Sequence, residues 1–363
     1  MKKLSRRRFL RHCAVQSAAL TAGQSAMGML PEEKTLVEYV RNEALTTVRE
    51  NYAGNPMRDG IFLNSDLNPN LKPFSVIFKW FLSENPQREE KKNDPFRVTT
   101  HNVKDFRAIN ENGLMWLGHS SFLIRLGNKW LLTDPCLTAA PLQKRYSELP
   151  MPISHLESVD YVLLSHNHYD HLDSDTLSTW RSRVMKILLP LRLGSTVRSM
   201  NKYVSIQEAG WFQKYDLEED FEIIFLPAIH WSKRGLWDNN RSLWGSFLIR
   251  TPRTTIYFSG DTAYGEHFGE IARLFGKIDI ALMPIGAYKP QHIMKSAHTS
   301  PQEAVQGFHD LKAKTFIPMH YGTFDLADEP MGEPVKLLRN MKADGLINGE
   351  LQIPDAGAWI TFD

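Results

Sequence analysis

The run His166-Asn167-His168-Tyr169-Asp170-His171 sets three imidazoles and a carboxylate almost side by side. On an extended segment, residues two apart point the same way, so His166 and His168 can share one ion. Asp170 and His171 come after a turn and can face a second. Imidazole together with carboxylate suits zinc, and iron or manganese also fit. Three more ligand types stand at separate strand ends. His230 follows Phe225-Leu226-Pro227-Ala228-Ile229, Asp261 follows Tyr257-Phe258-Ser259-Gly260, and His320 follows Phe316-Ile317-Pro318-Met319. One histidine at a strand end is usually structural. Three ends that deliver His, Asp and His complete two coordination spheres. Paired ions would lower the pKa of a shared water and polarise a substrate oxygen. Asp170 or Asp261 stands where it can accept the water's proton. The chemistry is hydrolysis, with no Ser-His-Asp nucleophile required.

The elements that must position these residues follow from periodicity. Leu36, Val37, Tyr39, Val40, Ala44, Leu45 and Val48 give residues 34–52 a helical pattern. The Pro/Asn/Gly-rich stretch 54–73 reads as extended loop, Phe74–Leu82 as a short helix, and Gln87–Asp94 as a charged linker. The regular core starts near Gly113. Strands are expected at Leu114–Leu117, Ser121–Leu126, Lys129–Thr133, Tyr161–Leu164, Lys186–Leu189, Glu222–Leu226, Gly245–Arg250, Thr255–Ser259, Ile278–Met283 and Thr315–Pro318. Helices are expected at Ser174–Arg181, Glu266–Phe275, Pro301–Ala313 and Glu333–Ala343. Ser300-Pro301-Gln302-Glu303 forms a capping box with Pro at the first helical position. Strands first, then strands alternating with helices, imply an α/β fold with two packed sheets and helices outside.

The chain has 363 residues, enough for one large layered domain or for two small ones. Residues 1–30 read as an export signal, 31–105 as an extension packing on the core, and 106–363 as the catalytic domain. Ser5-Arg6-Arg7-Arg8-Phe9-Leu10 resembles a twin-arginine motif, and an Ala-rich, weakly apolar stretch follows it. That stretch is too polar and too short to span a bilayer. Lys2, Lys3, Arg6, Arg7, Arg8 and Arg11 all lie in this segment. Without those six, the 43 basic residues fall below the 41 acidic ones. A mildly acidic body argues against general nucleic-acid binding. Of two cysteines, Cys13 lies in the export segment, so a processed chain keeps only Cys136 and forms no internal disulfide.

At the level of whole motifs, the chain resembles the metallo-β-lactamase superfamily. Within it, the chain is similar to the N-acylphosphatidylethanolamine-hydrolysing phospholipase D family from about Asn55 to Ala343. The matching segments include Trp116-Leu117-Gly118-His119-Ser120, Leu132-Thr133-Asp134-Pro135 and Leu164 through Asp173. They continue with His230-Trp231, Leu243-Trp244-Gly245-Ser246 and Gly260-Asp261-Thr262. The most specific are Pro284-Ile285-Gly286-Ala287-Tyr288 and His320-Tyr321-Gly322-Thr323-Phe324. The resemblance implies a four-layer αββα sandwich with two zinc ions per chain. It implies His166, His168 and His230 on one ion, Asp170, His171 and His320 on the other, and Asp261 between them. It also implies cleavage of a phospholipid diester to phosphatidic acid and an N-acylethanolamine. His298 precedes the capping box, near a helix N-terminus that favours anions. The resemblance makes it a catalytic and substrate-binding residue, with Tyr288 lining the same pocket. Ser300 departs from the family, where an acidic residue is usual. His119 and Asp134 are expected to orient the ligands.

Other readings stay open on the residues alone. A lactonase or other ester hydrolase would use the same ligands. A diiron oxidoreductase ranks lower, because Asn167 stands between the histidines where those proteins carry Glu. The intact ligand set opposes a purely binding role. Partners are a phospholipid or other small ester, with peripheral membrane contact and a homodimer left open. Phe74, Phe78, Trp80, Phe81, Trp231, Trp237 and Trp244 belong mainly to the core, and a minority of them would edge a lipid-facing mouth. Export is testable by fractionating cells that carry Arg6→Lys/Arg7→Lys. The periplasmic yield should collapse, and an unchanged yield rules out the twin-arginine route.

Overall fold

The computed structural model describes residues 36–140, 143–180, 186–217 and 220–362. Residues 1–30, expected from the sequence to be an export signal and holding Cys13, lie outside them. Three short strands come first: β1 (Glu38–Val40), β2 (Asn55–Arg58) and β3 (Ile61–Phe62), paired in that order. Two helices follow, α1 (Phe74–Leu82) and α2 (Arg88–Lys92).

The main body is built on two sheets. The strands β4 (Gly113–Gly118), β5 (Ser121–Leu126), β6 (Lys129–Thr133), β7 (Tyr161–Leu163), β8 (Lys186–Pro190) and β9 (Ile206–Ala209) make one of them. The strands β10 (Gln213–Lys214), β11 (Glu222–Leu226), β12 (Ser246–Arg250), β13 (Thr255–Phe258), β14 (Ile278–Pro284), β15 (Ala313–Met319) and β16 (Glu350–Leu351) make the other, in that order. The last strand, β17 (Trp359–Thr361), returns to pair with β4. Among the described residues each sheet thus has seven strands. Each begins antiparallel and turns parallel, from β6 onward in one and from β13 onward in the other.

Burial explains why so many strands read as unbroken apolar runs. In β4, Leu114 and Trp116 enter the large core between the sheets, while Met115 and Leu117 enter a second core on the outer face. The outer core is closed by Leu177 of α3 (Ser174–Thr179) and Val197 of α4 (Gly194–Met200). On the other sheet lie α5 (His267–Phe275), the short α6 (Gln291–Met294), α7 (Pro301–Asp310) and α8 (Glu333–Ala343). Ile271, Val305, Phe308 and Leu338 turn inward from them. The result is helices, sheet, sheet and helices, the four layers expected. The capping box at α7 forms as read: Ser300 Oγ accepts from the Glu303 amide, and the Glu303 carboxylate accepts from the Ser300 amide.

The N-terminal extension departs from its sequence pattern. Residues 34–52 were expected to be helical, yet the described part holds β1 and turns. Tertiary partners win over periodicity here. The buried Gln213 amide accepts from Asn42 N at 2.9 Å and donates to Asn42 O at 2.7 Å, and Thr47 bridges to Gln213. Asn55 donates to Val40 O at 2.7 Å and accepts from Trp211 N at 2.9 Å. The stretch 54–73 is not all loop, since β2 and β3 turn at Asp59-Gly60, and the linker 87–94 contains α2. The pattern also passed over β9, β10, β16, β17 and α4, mostly short or half-exposed edge elements. The helix from Pro301 ends at Asp310, and Ala313 already opens β15.

Gln213→Leu would strand the polar groups of Asn42 inside the joint. We expect a loss of about 1–3 kcal/mol in chemical denaturation, with the metal-site residues undisturbed. Unchanged stability would mean that this amide does not hold the extension.

Candidate metal centre

Every candidate ligand sits just past the C-terminal end of a strand. In one sheet, β4 leads to His119, β6 to Asp134, and β7 to His166, His168, Asp170 and His171. In the other, β11 leads to His230, β13 to Asp261 and β15 to His320. The same edge of the sandwich therefore receives them all. Tight backbone geometry makes the delivery close. His119, Asp134 and His320 all have left-handed φ, of 53°, 30° and 62°. Gly260 (φ 55°) sits where a Cβ would meet Ser165 Cβ at 2.6 Å, so the Asp261 turn packs directly on the histidine run.

The seven donors converge. His168 Nδ1 lies 2.9 Å from His166 Nε2 and 3.2 Å from His230 Nε2. Asp261 Oδ2 lies 3.2 Å from both His171 Nε2 and His320 Nε2, and 3.8 Å from His230 Nε2. Asp170 Oδ2 lies 3.5 Å from His320 Nε2 and 3.7 Å from His171 Nε2. Among the described residues, two four-membered groupings result. In one, donor atoms of His166, His168, His230 and Asp261 all lie within 4.8 Å of one another; in the other, those of His119, Asp170, His171 and His320 do.

Outer hydrogen bonds decide what the inner nitrogens can do. His230 Nδ1 donates to Ala297 O at 2.8 Å, which leaves a lone pair on Nε2 of the neutral ring. Ser165 Oγ gives its one proton to Asp134, so it accepts from His166 Nδ1 at 2.8 Å. His166 Nε2 then also carries a lone pair. His171 Nδ1 donates to Asp134 Oδ2 at 2.7 Å and aims Nε2 at Asp261. His168 Nδ1 faces the lone pairs on both His166 Nε2 and His230 Nε2 and can give its one proton to only one of them. A lone pair left facing another nitrogen or a carboxylate oxygen is repelled unless a cation lies between. His171 Nε2, His320 Nε2 and Asp261 Oδ1 are buried with no hydrogen-bond partner. Nitrogen and carboxylate donors in this arrangement fit a pair of divalent ions of the zinc class.

The electrostatics agree. Burial pushes His166 and His230 well below the usual imidazole range, with help from neighbouring imidazoles, and takes His168 to about 4. Burial would raise Asp170 and Asp261, but His171, aided by other imidazoles, holds both well below the usual carboxylate range. Burial also opposes charge on His171 and His320. Asp261 and Asp170 overcome it, raising His171 well above its ordinary value and His320 to about 9. A proton on either ring is thus favoured by the same carboxylates that would hold an ion.

The other expected residues divide. Asp134 lies behind both groupings, touching His171 directly and His166 through Ser165. His119 Nε2 reaches Asp170 Oδ2 at 3.0 Å. His298 borders the cluster, its Nδ1 buried, unpartnered and 3.8 Å from Asp261 Oδ2, and burial takes it to about 4. The structure does not bring the Tyr288 hydroxyl to the cluster; it donates to Glu333, which also pairs with Lys289 at 2.6 Å. Of the aromatics, Trp244 is buried, Trp231 lies edge-on to His168 at 4.4 Å, and Trp237 is 60% exposed. The sequence reading missed Asn64, whose amide grips both the N–H (3.2 Å) and the C=O (3.1 Å) of His230. It also missed Arg234, which donates to the carbonyls of Asn167 and Leu172. Nothing local marks either residue, because each partner lies more than sixty positions away.

Because metal must displace the protons held by His171 and His320, divalent-ion affinity should rise with pH from about 6 to 9, roughly tenfold per unit for each proton displaced. Calorimetry in buffers of different ionisation enthalpy measures this directly. Zero proton release at pH 7 would contradict the charge pattern described.

Residues 129–321 match the family model described as a β-lactamase superfamily domain. The chain is 32% identical over 302 residues to N-acyl-phosphatidylethanolamine-hydrolyzing phospholipase D 1 of Caenorhabditis elegans, covering 76% of this chain and 83% of that protein. It is 32% identical over 259 residues to the mitochondrial protein of that description in Saccharomyces cerevisiae, covering 68% of this chain and 55% of the yeast one. Igni18, a metallo hydrolase from Ignicoccus hospitalis, shares the fold with a TM-score of 0.54 at 20% identity, over 69% of this chain and 98% of that one. A site of this composition on this sandwich, in a chain so related, makes the protein a metal-dependent hydrolase that belongs to the metallo-β-lactamase superfamily, in the branch of the N-acyl-phosphatidylethanolamine-hydrolysing phospholipases D.

Proposed function

We propose that the chain is a binuclear zinc enzyme of the phospholipase D type, cleaving N-acylphosphatidylethanolamine-like phospholipids. One observation carries the reading: all seven donors meet in one buried cluster, in a chain that spans 83% of the nematode relative. His166, His168 and His230 would hold one ion, Asp170, His171 and His320 the other, with Asp261 between. Zinc bound there would supply an activated water and positive charge for the phosphate oxygens.

The chain's own residues do the rest. Asp170 is the most exposed carboxylate of the cluster, at 16% against 2% for Asp261, and it takes the water's proton. His119, 3.0 Å away, steadies that carboxylate. Asp134 keeps His171 and, through Ser165, His166 in one orientation. His298 is neutral at pH 7, because burial holds it down, and offers an N–H to a phosphate oxygen. The water oxygen bonds to phosphorus, the bond from phosphorus to the ethanolamide oxygen breaks, and that oxygen takes up a proton. The products are phosphatidic acid and an N-acylethanolamine.

The reading extends to export through the twin-arginine segment and to peripheral contact with a membrane. Among the described residues, no helix is long and apolar enough to cross one.

Zinc-loaded protein offered N-acylphosphatidylethanolamine, bis(p-nitrophenyl) phosphate and simple lactones tests the substrate. Both diesters should be cleaved, and His168→Ala should lose zinc and more than about 100-fold in rate. Lactone turnover without diester cleavage would sink the lipid reading and favour an ester hydrolase on the same scaffold.

A further inference from the structure

His298 stands between the rings of His230 and His320, at 5.2 and 5.4 Å, and its buried Nδ1 has no hydrogen-bond partner among the described residues. Its place therefore depends on the backbone that carries it. That backbone leaves α6 through a tight turn, in which Met294 O accepts from both Ala297 N and His298 N at 2.9 Å. The two carbonyls just before His298 are held from outside the turn. His230 Nδ1 donates to Ala297 O at 2.8 Å, and Asn70 Nδ2 donates to Ser296 O at 2.5 Å.

Asn70 belongs to the N-terminal extension, and its own setting is closely defined. In the loop after β3, Asn64 N donates to Asn68 O at 2.9 Å and Leu67 N to Asn64 O at 2.8 Å. Asn70 N donates to Asn68 Oδ1 at 2.8 Å, and the Asn240 amide donates to Pro69 O at 2.6 Å. Asn70 is buried and takes a left-handed φ of 54°, which asparagine tolerates better than most side chains. The same Nδ2 lies 3.5 Å from His230 O, a carbonyl that also accepts from Asn64 Nδ2 at 3.1 Å. One amide thus spans the loop that carries His230 and the loop that carries His298. Its removal would take this donor from Ser296 O inside a part-buried joint.

We propose that Asn70 is a positioning residue for His298. By joining Ser296 O to the His230 backbone, it fixes how the His298 ring stands against the donor cluster, and the extension forms part of the site. The inference rests on the phosphate-contacting role given above to His298. A ring that offers an N–H to a phosphate oxygen works only within a narrow range of distance and angle, and small misplacements cost rate steeply. Without Asn70, the turn at 294–298 keeps its own bonds to Met294 O, and the His230 ring keeps Ala297 O. The loss should therefore fall on His298 and leave the metal donors in place.

The test is a double-mutant cycle on the full-length, zinc-loaded protein. Asn70→Gly removes the amide and tolerates the left-handed φ, and Asn70→Ala removes it without adding backbone freedom. Each is made alone and together with His298→Ala. Calorimetry with inorganic phosphate reads binding, and bis(p-nitrophenyl) phosphate reads turnover. Alone, each Asn70 variant should bind phosphate at least about fivefold more weakly and turn over at least about tenfold more slowly, with zinc content unchanged. Beside His298→Ala, the same change should cost less than about twofold. Equal losses in both backgrounds, loss of zinc, or no loss at all would overturn the proposal. His298→Ala without effect on either readout would instead sink the phosphate role of His298, and the proposal with it. Absence of diester cleavage would count against the assigned reaction alone, and the phosphate titration would still decide on Asn70.

Discussion

Two carboxylates, Asp261 buried and Asp170 nearly so, facing imidazole nitrogens are the constraint on which this structure turns. Asp261 is ionised while buried and Asp170 while only 16% exposed, against rings of which His171 and His230 have their outer nitrogens already committed. An isolated charge there would be costly to bury, and the repulsion of inward lone pairs adds to the cost. Cations resolve both. The surrounding hydrogen bonds exist to keep the problem from being solved any other way. Asp134 holds His171, Ser165 holds His166, and Ala297 O holds His230, so none of these three rings can flip to bond its neighbour instead.

The sandwich supplies the donors because parallel strands end at a common edge. The strands β6 to β8 run parallel, as do β13 to β15, so their C-terminal ends line up and their loops emerge together. Ligands sought at the C-terminal ends of strands are a general feature of such sheets. What is particular here is the use of two sheets at once. That demands close approach of loops belonging to different sheets. It explains Gly260, where a Cβ would stand 2.6 Å from Ser165 Cβ, in the loop after β7 of the other sheet.

How much of this was legible in the sequence depends on distance along the chain. The run from His166 to His171 announces itself because its donors are adjacent. His230, Asp261 and His320 were legible because each ends an apolar strand, and burial on both faces makes those strands conspicuous. Residues 34–52 misled, because an apolar spacing that suits a helix also suits a segment pinned by Gln213 and Phe212 to a sheet edge. Asn64 and Arg234 were invisible for the same reason. Their work is done on backbone atoms of remote residues, and backbone partners leave no trace in side-chain type. Tyr288 shows the converse. Its place in a specific motif pointed to the pocket, while its hydroxyl is spent on Glu333.

The division of donors between sheets has a consequence for how the site is kept in register. Three imidazoles and one carboxylate come from the β7 loop of one sheet, and two imidazoles and the central carboxylate from the other. Each four-membered grouping of donors takes members from both. The separation between facing donors is therefore set by how the sheets pack, and that packing rests on side chains such as Trp116, Phe122, Phe247 and Phe258 in the shared core. A closely packed interior transmits displacement instead of absorbing it. Trp116 serves in both places at once, filling the core with its ring and holding the His119 carbonyl with its indole nitrogen. The chemistry at the edge and the packing at the centre are consequently one mechanical problem, and ions joining the two sheets would stabilise the fold as well as the reaction it carries.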